Sequence, residues 1–216
     1  MKLFVWDFHG VLEKDNEKAV IDISNRVLEK ENYKERFTDE DNDRYYGLRW
    51  YQYFENLLPN VSIDECLRLQ AECLKNQSEN ESIIRSIIKP SDYAILVVQK
   101  IKDSGHEQIV ISNTRPDDIV WFLESVNLKE FFNDNQIFGV NTHQTKGSKI
   151  ESLNKYLSEK EFEKIISIGD SEGDLELGKA FNGTTYYYRH PNRKHEETSN
   201  ADYLIHDLRE VLKELK

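Results

Sequence analysis

Leu3-Phe4-Val5-Trp6-Asp7-Phe8-His9-Gly10-Val11-Leu12 begins as an apolar run and breaks, directly after Trp6, into the cluster Asp7-Phe8-His9-Gly10. So short a run, without helical period and punctuated by glycine, reads as a buried strand ending in a tight turn. The pattern recurs downstream. Ser112-Asn113 follows Ile109 to Ile111, and Gly169-Asp170-Ser171-Glu172-Gly173-Asp174 follows Ile165 to Ile168. Lys146-Gly147 is a fourth polar cluster, with no strand directly before it. In an open parallel sheet the carboxyl ends of the strands share one edge, and ligands bind in the crevice beside it. The four clusters are therefore expected to meet in one site.

The remainder of the chain supports such a sheet. From Asn16 to about Lys89 the pattern is helical, with Ala19, Val20, Ile23, Val27 and Leu28 on one stripe and Tyr46, Trp50, Tyr53, Phe54 and Leu57 on another. Pro59 and Asn60-Val61-Ser62 then separate a helix carrying Cys66, Leu69 and Cys73, with Ser62 as its expected N-cap and Glu65 three residues on. Beyond Lys89-Pro90 helices and strands alternate: helix 93–102, strand 108–112, helix 117–126, strand 136–140, helix 147–157, strand 165–169, helix 175–181, strand 185–188 and a closing helix 207–215. Alternation of this kind implies parallel strands joined by helical crossovers. The expected fold is α/β, a three-layer Rossmann-like parallel-sheet core of residues 1–14 and 90–216 with an inserted all-helical domain of residues 15–89.

Composition narrows the function. With 216 residues the chain is long enough for one domain with an insertion or two small domains, and 38% hydrophobic with 32% charged residues is ordinary for a globular protein with a wet surface. A formal charge of −11 argues against non-specific binding to nucleic acid or to anionic membranes, both of which select basic surfaces. The apolar stretch after Lys2 is broken at once by Asp7, too soon for a signal peptide, and no window approaches the roughly 20 apolar residues of a membrane span. Cys66 and Cys73 share a helical face without metal-ligand neighbours, the pattern of two buried thiols in a reducing cytoplasm.

Asp7-Phe8-His9-Gly10-Val11-Leu12 resembles the first motif of the haloacid dehalogenase-like (HAD) hydrolases, an Asp-x-Asp-Gly-Thr/Val-Leu loop on a strand. Ser112-Asn113 is similar to the second motif, Lys146 to the third, and Gly169-Asp170-Ser171 with Asp174 to the fourth, all in family order. The resemblance extends to Ala201-Asp202-Tyr203-Leu204-Ile205 before the closing helix, and a helical insertion after the first motif is what phosphoglycolate phosphatase-like members carry as a mobile cap.

The resemblance implies a phosphatase acting on a small phosphorylated metabolite. Asp7 would be the nucleophile that forms an aspartyl phosphate, splitting one difficult step into two easier ones. Mg²⁺ is the implied cofactor, held by Asp7, Asp170, Asp174 and the backbone carbonyl of His9, since hard oxygens are what this ion takes. Ser112 and Asn113 would bind the phosphate oxygens, and Lys146 would neutralise charge on nucleophile and phosphate. Lys149, one turn further along, is the rival for that role; Lys146 is preferred because the Lys-Gly pair sits at the expected helix start.

His9 departs from the pattern, because phosphatases of the family usually carry there a second aspartate as general acid and base. A carbonyl contact survives the change, so catalysis rather than metal binding is in question. Either His9 is itself the acid and base, for which an unperturbed pKa of about 6.5 is suited, or it marks a changed reaction such as cleavage of a carbon–phosphorus or carbon–halogen bond. Phosphoryl transfer to a sugar hydroxyl, and a non-catalytic binder of a phosphorylated ligand, are the further alternatives. The former reading is preferred because the metal-site aspartates are kept.

Taken singly, each of these residues reads more simply as a turn, a cap or a solvated side chain. Taken jointly they do not. Asp39-Glu40-Asp41-Asn42-Asp43 has Arg44 where a calcium loop needs glycine and Trp50 where it needs glutamate, so it is expected to be a solvated acidic turn. Arg49, off the apolar stripe, is expected to be solvated, with recognition of a substrate anion in the crevice as the alternative. Arg189, His190, Arg193, Lys194 and His195 form a basic island after the last expected strand, read as a surface loop balanced by Glu196 and Glu197, with attraction of anionic substrates as the alternative.

Overall fold

The computed structural model describes residues 1–45, 48–140, 148–158, 160–190 and 200–216. Strand β1 (Lys2–Trp6) is followed by the short β2 (Glu13–Lys14). Five helices come next: α1 (Asn16–Lys30), α2 (Asp39–Tyr45), α3 (Trp50–Leu57), α4 (Ile63–Glu79) and α5 (Glu81–Ile87). The alternating part runs β3 (Lys89–Pro90), α6 (Ala94–Asp103), β4 (Glu107–Ser112), α7 (Pro116–Ser125), β5 (Ile137–Gly139), α8 (Ser148–Leu157), β6 (Lys164–Gly169), α9 (Glu172–Ala180), β7 (Thr184–Tyr188) and β8 (Tyr203–Ile205). A 3₁₀ segment, Leu208–Leu215, closes the chain. By contacts the chain divides into two compact units, Met1–Lys14 with Lys89–Lys216, and Asp15–Ile88.

The first unit is built on a parallel sheet in the order β5-β4-β1-β6-β7-β8. β1 lies between β4 and β6, with Trp6 opposite both Val110 and Ile168, so the chain ends of these three strands reach one edge together. Strand residues alternate between faces. Leu3 and Val5, with Ile109 and Ile111, pack under Leu153 and Tyr156 of α8 and Leu177 of α9. Full burial of an aliphatic side chain of this size contributes roughly 1.5–3 kcal/mol. On the opposite face the buried Trp6 donates its indole N–H to Gln108 (3.1 Å), whose amide donates to the Val98 carbonyl of α6 (2.9 Å). Helices thus flank both faces, and the buried polar groups between β1, β4 and α6 are hydrogen-bonded as burial requires.

Several segments differ from the sequence reading. Glu13–Lys14 and Lys89–Pro90 pair as short antiparallel strands, and the helix expected over 175–181 starts at Glu172, which places Asp174 in its first turn. Tyr203–Ile205 is a sixth parallel strand, so Thr184–Tyr188 is not the last. Its entry is fixed by Asp202, whose carboxylate accepts from the backbone N–H and the hydroxyl of Thr185 at 2.8 and 2.9 Å. The closing segment is 3₁₀ rather than α, and its buried residues Leu208, Val211 and Glu214 recur every third position, the period that a three-residue turn places on one face. In the second unit the acidic run at 39–43 starts helix α2 instead of forming a turn. Thr38 donates its N–H and hydroxyl to Asp41, and Asp39, Glu40 and Asp41 occupy the first turn, where the helix dipole favours anions.

The second unit is helical, as its pattern implies. α1 buries Ala19, Ile21, Ile23, Val27 and Leu28, and α4 buries Cys66, Leu69 and Cys73. Ser62 caps α4 by accepting from the Glu65 N–H at 3.3 Å. Phe37 meets the rings of Tyr45, Tyr53 and Phe54 edge-on, an arrangement aromatic quadrupoles favour. Tyr46 lies outside the described residues, and Arg49 is exposed at the start of α3. Both cysteines are free, and burial pushes the Cys73 thiol up to about 12, which marks it as inert packing material. Among the described residues no helix is long and apolar enough to cross a membrane.

Candidate active site

Asp7 is the first residue past β1, and its N–H donates to the Ile168 carbonyl of β6 at 2.9 Å, so the sheet itself fixes its backbone. The chain then turns tightly. The Phe8 carbonyl accepts from the N–H groups of Val11, Leu12 and Glu13, and the Gly10 N–H donates to the Glu13 carbonyl. Gly10 has φ of 82°, a left-handed conformation that only glycine adopts at little cost, which is why glycine stands in this loop.

Asp170 and Asp174 arrive from the neighbouring strand. Asp170 follows β6 and is buried, and Asp174 sits in the first turn of α9 at 2% exposure. One Asp174 oxygen accepts from the Ser171 hydroxyl (2.6 Å) and its N–H (3.2 Å). Gly169 permits this approach: a Cβ there would lie 2.1 Å from the Asp174 Cβ. Gly169→Ala is accordingly expected to push Asp174 off its position and destabilise the protein by about 1–3 kcal/mol. A urea melt checks this, and a stability equal to wild type would show that the loop has room.

Among the described residues the cation that reaches this cluster is Lys149. Its ammonium donates to Asp7 at 2.9 Å and to the second Asp174 oxygen at 2.7 Å. Lys146 lies outside the described residues. The reach of Lys149 follows from helix geometry. It precedes Leu153 by four residues and Tyr156 by seven, and both of those side chains are in the core, so all three lie on the inward face of α8.

The electrostatics of the cluster are uneven. Burial raises the Asp7 carboxyl above the usual carboxylate range, and Asp174 raises it further, while Lys149 only partly opposes them. Burial pulls Lys149 down, but Asp174 and Asp7 more than offset this and hold it firmly protonated. Among the described residues one ammonium thus faces several carboxylates. Asp7, Asp170 and Asp174 each offer a carboxylate oxygen, all within 4.8 Å of one another. Hard oxygens at that spacing fit a small divalent cation.

Ser112 ends β4, beside β1 and at the same sheet edge. It is buried, and its hydroxyl shares a hydrogen bond of 2.9 Å with Thr114, while Asn113 is exposed. His9 lies in the Asp7 turn with Nδ1 at 2.7 Å from Glu13, a fully buried carboxylate four residues on. The sequence motifs do not single out Glu13, whose place beside His9 is set by the fold of the turn. Of the basic island, Arg189 donates its N–H to Ile205 and His190 is buried edge-on to Tyr188 rather than solvated; Arg193, Lys194 and His195 lie outside the described residues.

The model of the family of haloacid dehalogenase-like hydrolases matches residues 4–187. The chain belongs to that family. No curated protein sequence matches it significantly. Among solved structures the HAD fold recurs at low identity. A predicted phosphatase from Clostridium acetobutylicum is similar with a TM-score of 0.78 at 18% identity, over 99% of this chain and 97% of that one. A haloacid dehalogenase-like hydrolase from Streptococcus pneumoniae has a TM-score of 0.76 at 14% identity, over 99% and 98%. A HAD family hydrolase from Deinococcus radiodurans, solved with bound phosphate and sodium, has a TM-score of 0.67 at 15% identity, over 99% and 94%. The HAD hydrolase fold covers essentially the whole chain in each.

Proposed function

We propose that this HAD hydrolase is a Mg²⁺-dependent phosphatase of a small phosphate monoester. The observation that carries the reading is the convergence of Asp7, Asp170 and Asp174 around one lysine at the edge of a parallel sheet. Asp7, Asp170, Asp174 and the His9 backbone carbonyl would hold the ion. Once bound, Mg²⁺ supplies positive charge that lets an anionic nucleophile approach an anionic phosphate.

An Asp7 oxygen attacks phosphorus, a bond from phosphorus to Asp7 forms, and the bond to the leaving oxygen breaks. His9 gives its proton to that leaving oxygen. Neutral His9 then takes a proton from the water that attacks the phosphoaspartate, releasing inorganic phosphate and restoring the Asp7 carboxylate. Ser112 and Asn113 hydrogen-bond the non-reacting phosphate oxygens. Lys149 carries the role of the motif lysine in this reading, because its ammonium touches the nucleophile. Charge neutralisation and positioning supply most of the rate, as phosphoryl transfer demands.

The relation to a predicted phosphatase and to a hydrolase with bound phosphate supports an oxyanion as the ligand class. A phosphate-release screen over sugar phosphates, nucleotides, phosphoglycolate and phosphonates, with Mg²⁺ and with EDTA, tests the reading. Release from one class of monoester, lost in EDTA, is expected; silence toward all monoesters, or release from a phosphonate alone, contradicts it. His9→Ala should lower kcat on p-nitrophenyl phosphate on the order of 10²-fold, with His9→Asp recovering part. Equal rates in the three proteins would place the proton transfer elsewhere.

A further inference from the structure

His9 and Glu13 form a pair whose geometry goes beyond that scheme. Glu13 is fully buried, yet its Oε2 stands 2.7 Å from His9 Nδ1, while the His9 side chain keeps 23% of its exposure. A carboxylate taken out of water costs several kcal/mol unless well partnered. The turn delivers it nonetheless. Glu13 donates its N–H to the Phe8 carbonyl and accepts from the Gly10 N–H, which folds residue 13 back beside residue 9. The imidazole is also held from its sides by the edge-on rings of Phe8 and Phe122, at 5.0 and 4.8 Å between centroids.

We propose that Glu13 is the positioning residue of His9: its carboxylate accepts a hydrogen bond from Nδ1–H, fixes the ring in that tautomer, and confines proton exchange with substrate and water to Nε2. The proposal rests on the acid and base role of His9 given above. It follows from the chemistry of imidazole, in which the hydrogen bond at one nitrogen decides which proton the other carries. A carboxylate that orients a histidine in this way is a positioning group and itself takes no proton from the substrate. The Phe8 and Phe122 contacts fix the ring plane, and Glu13 fixes its rotation within that plane.

The test has two parts. Long-range ¹H–¹⁵N spectra of the wild-type enzyme, labelled at histidine and assigned with His9→Ala, are expected to show neutral His9 with its proton on Nδ1; a proton on Nε2 overturns the proposal without any change to the protein. Glu13→Leu is expected to fold, since the partner it leaves behind, His9, can stand as a neutral imidazole that keeps part of its exposure to water, so no buried charge is stranded. Its kcat on an alkyl phosphate should fall on the order of 10²-fold, with KM within about twofold of wild type. The double variant His9→Ala/Glu13→Leu should be no slower than His9→Ala alone, because residues acting as a unit are not additive.

A Glu13→Leu enzyme as fast as wild type, beside a slow His9→Ala, overturns the positioning role and leaves the acid and base reading standing. A His9→Ala enzyme as fast as wild type removes both. A melting temperature that falls in Glu13→Leu while kcat holds would assign Glu13 to stability alone and also overturns the proposal.

Discussion

Asp7→Asn should lower kcat on p-nitrophenyl phosphate with Mg²⁺ by on the order of 10⁴-fold or more, since an amide cannot serve as the attacking oxyanion and nothing else in the turn replaces it. The loss should come without unfolding. Asn matches Asp in volume, and its backbone remains tied to Ile168. Electrostatics favour the variant: burial and Asp174 both raise the Asp7 carboxyl, so its negative charge is a burden on the metal-free protein. Thermal melts in EDTA are therefore expected to show Asp7→Asn at least as stable as wild type. A variant that kept full activity would reject Asp7 as the nucleophile.

Lys149→Met should have the second largest effect, and on two observables. The ammonium bridges Asp7 and Asp174 at 2.9 and 2.7 Å from a side chain that is only 13% exposed. Removing it leaves two carboxylates facing each other without compensation, a change that costs roughly 3–5 kcal/mol when a buried pair is broken. Urea unfolding in EDTA should show a loss of that order. Millimolar Mg²⁺ should restore part of it, because an ion that binds only the folded state stabilises by mass action. Turnover should fall on the order of 10²- to 10³-fold, the usual consequence of losing one preorganised charge at a site where charge develops. Unchanged stability in EDTA would mean that the two contacts carry no energy.

How far the sequence revealed this site depends on the kind of signal each residue left. Asp7, Asp170 and Ser112 were legible because each ends an apolar run, and strand ends at one edge of a parallel sheet converge by topology. Between Lys146 and Lys149 the sequence offers two signals: a lysine beside glycine at a helix start, which favours 146, a position outside the described residues, and the spacing of 149 to the buried Leu153 and Tyr156, which places 149 on the inward face of its helix. Glu13 was invisible to motif reasoning. Its partner lies four residues away in a turn whose shape depends on the φ of Gly10 and on three N–H groups gathered by the Phe8 carbonyl.

The same distinction holds for the fold. The helices of the inserted unit follow from their periodic apolar faces, and the alternation after Lys89-Pro90 leads to the parallel sheet. Strand β8 left little pattern because two of its three residues, Tyr203 and Leu204, are exposed, and it is held by the contact of Asp202 with Thr185. The tail at 208–215 contains a three-residue period that resembles an α-helical stripe until the burial of Glu214 shows which face is inward. That glutamate is hydrogen-bonded to Tyr186 and paired with Lys164, each at 2.7 Å, interactions made with distant strands and hence without a local sequence signature.

The reading as a whole turns on whether phosphorus becomes bonded to Asp7. Acid-quenching the enzyme within milliseconds of mixing it with Mg²⁺ and a substrate from the screen, followed by mass spectrometry of the peptide containing residues 1–14, measures this directly. A phosphoryl adduct on Asp7 that appears during turnover, decays as substrate is exhausted and is absent from Asp7→Asn is the predicted result. Steady release of phosphate with no such adduct at any time point would contradict it.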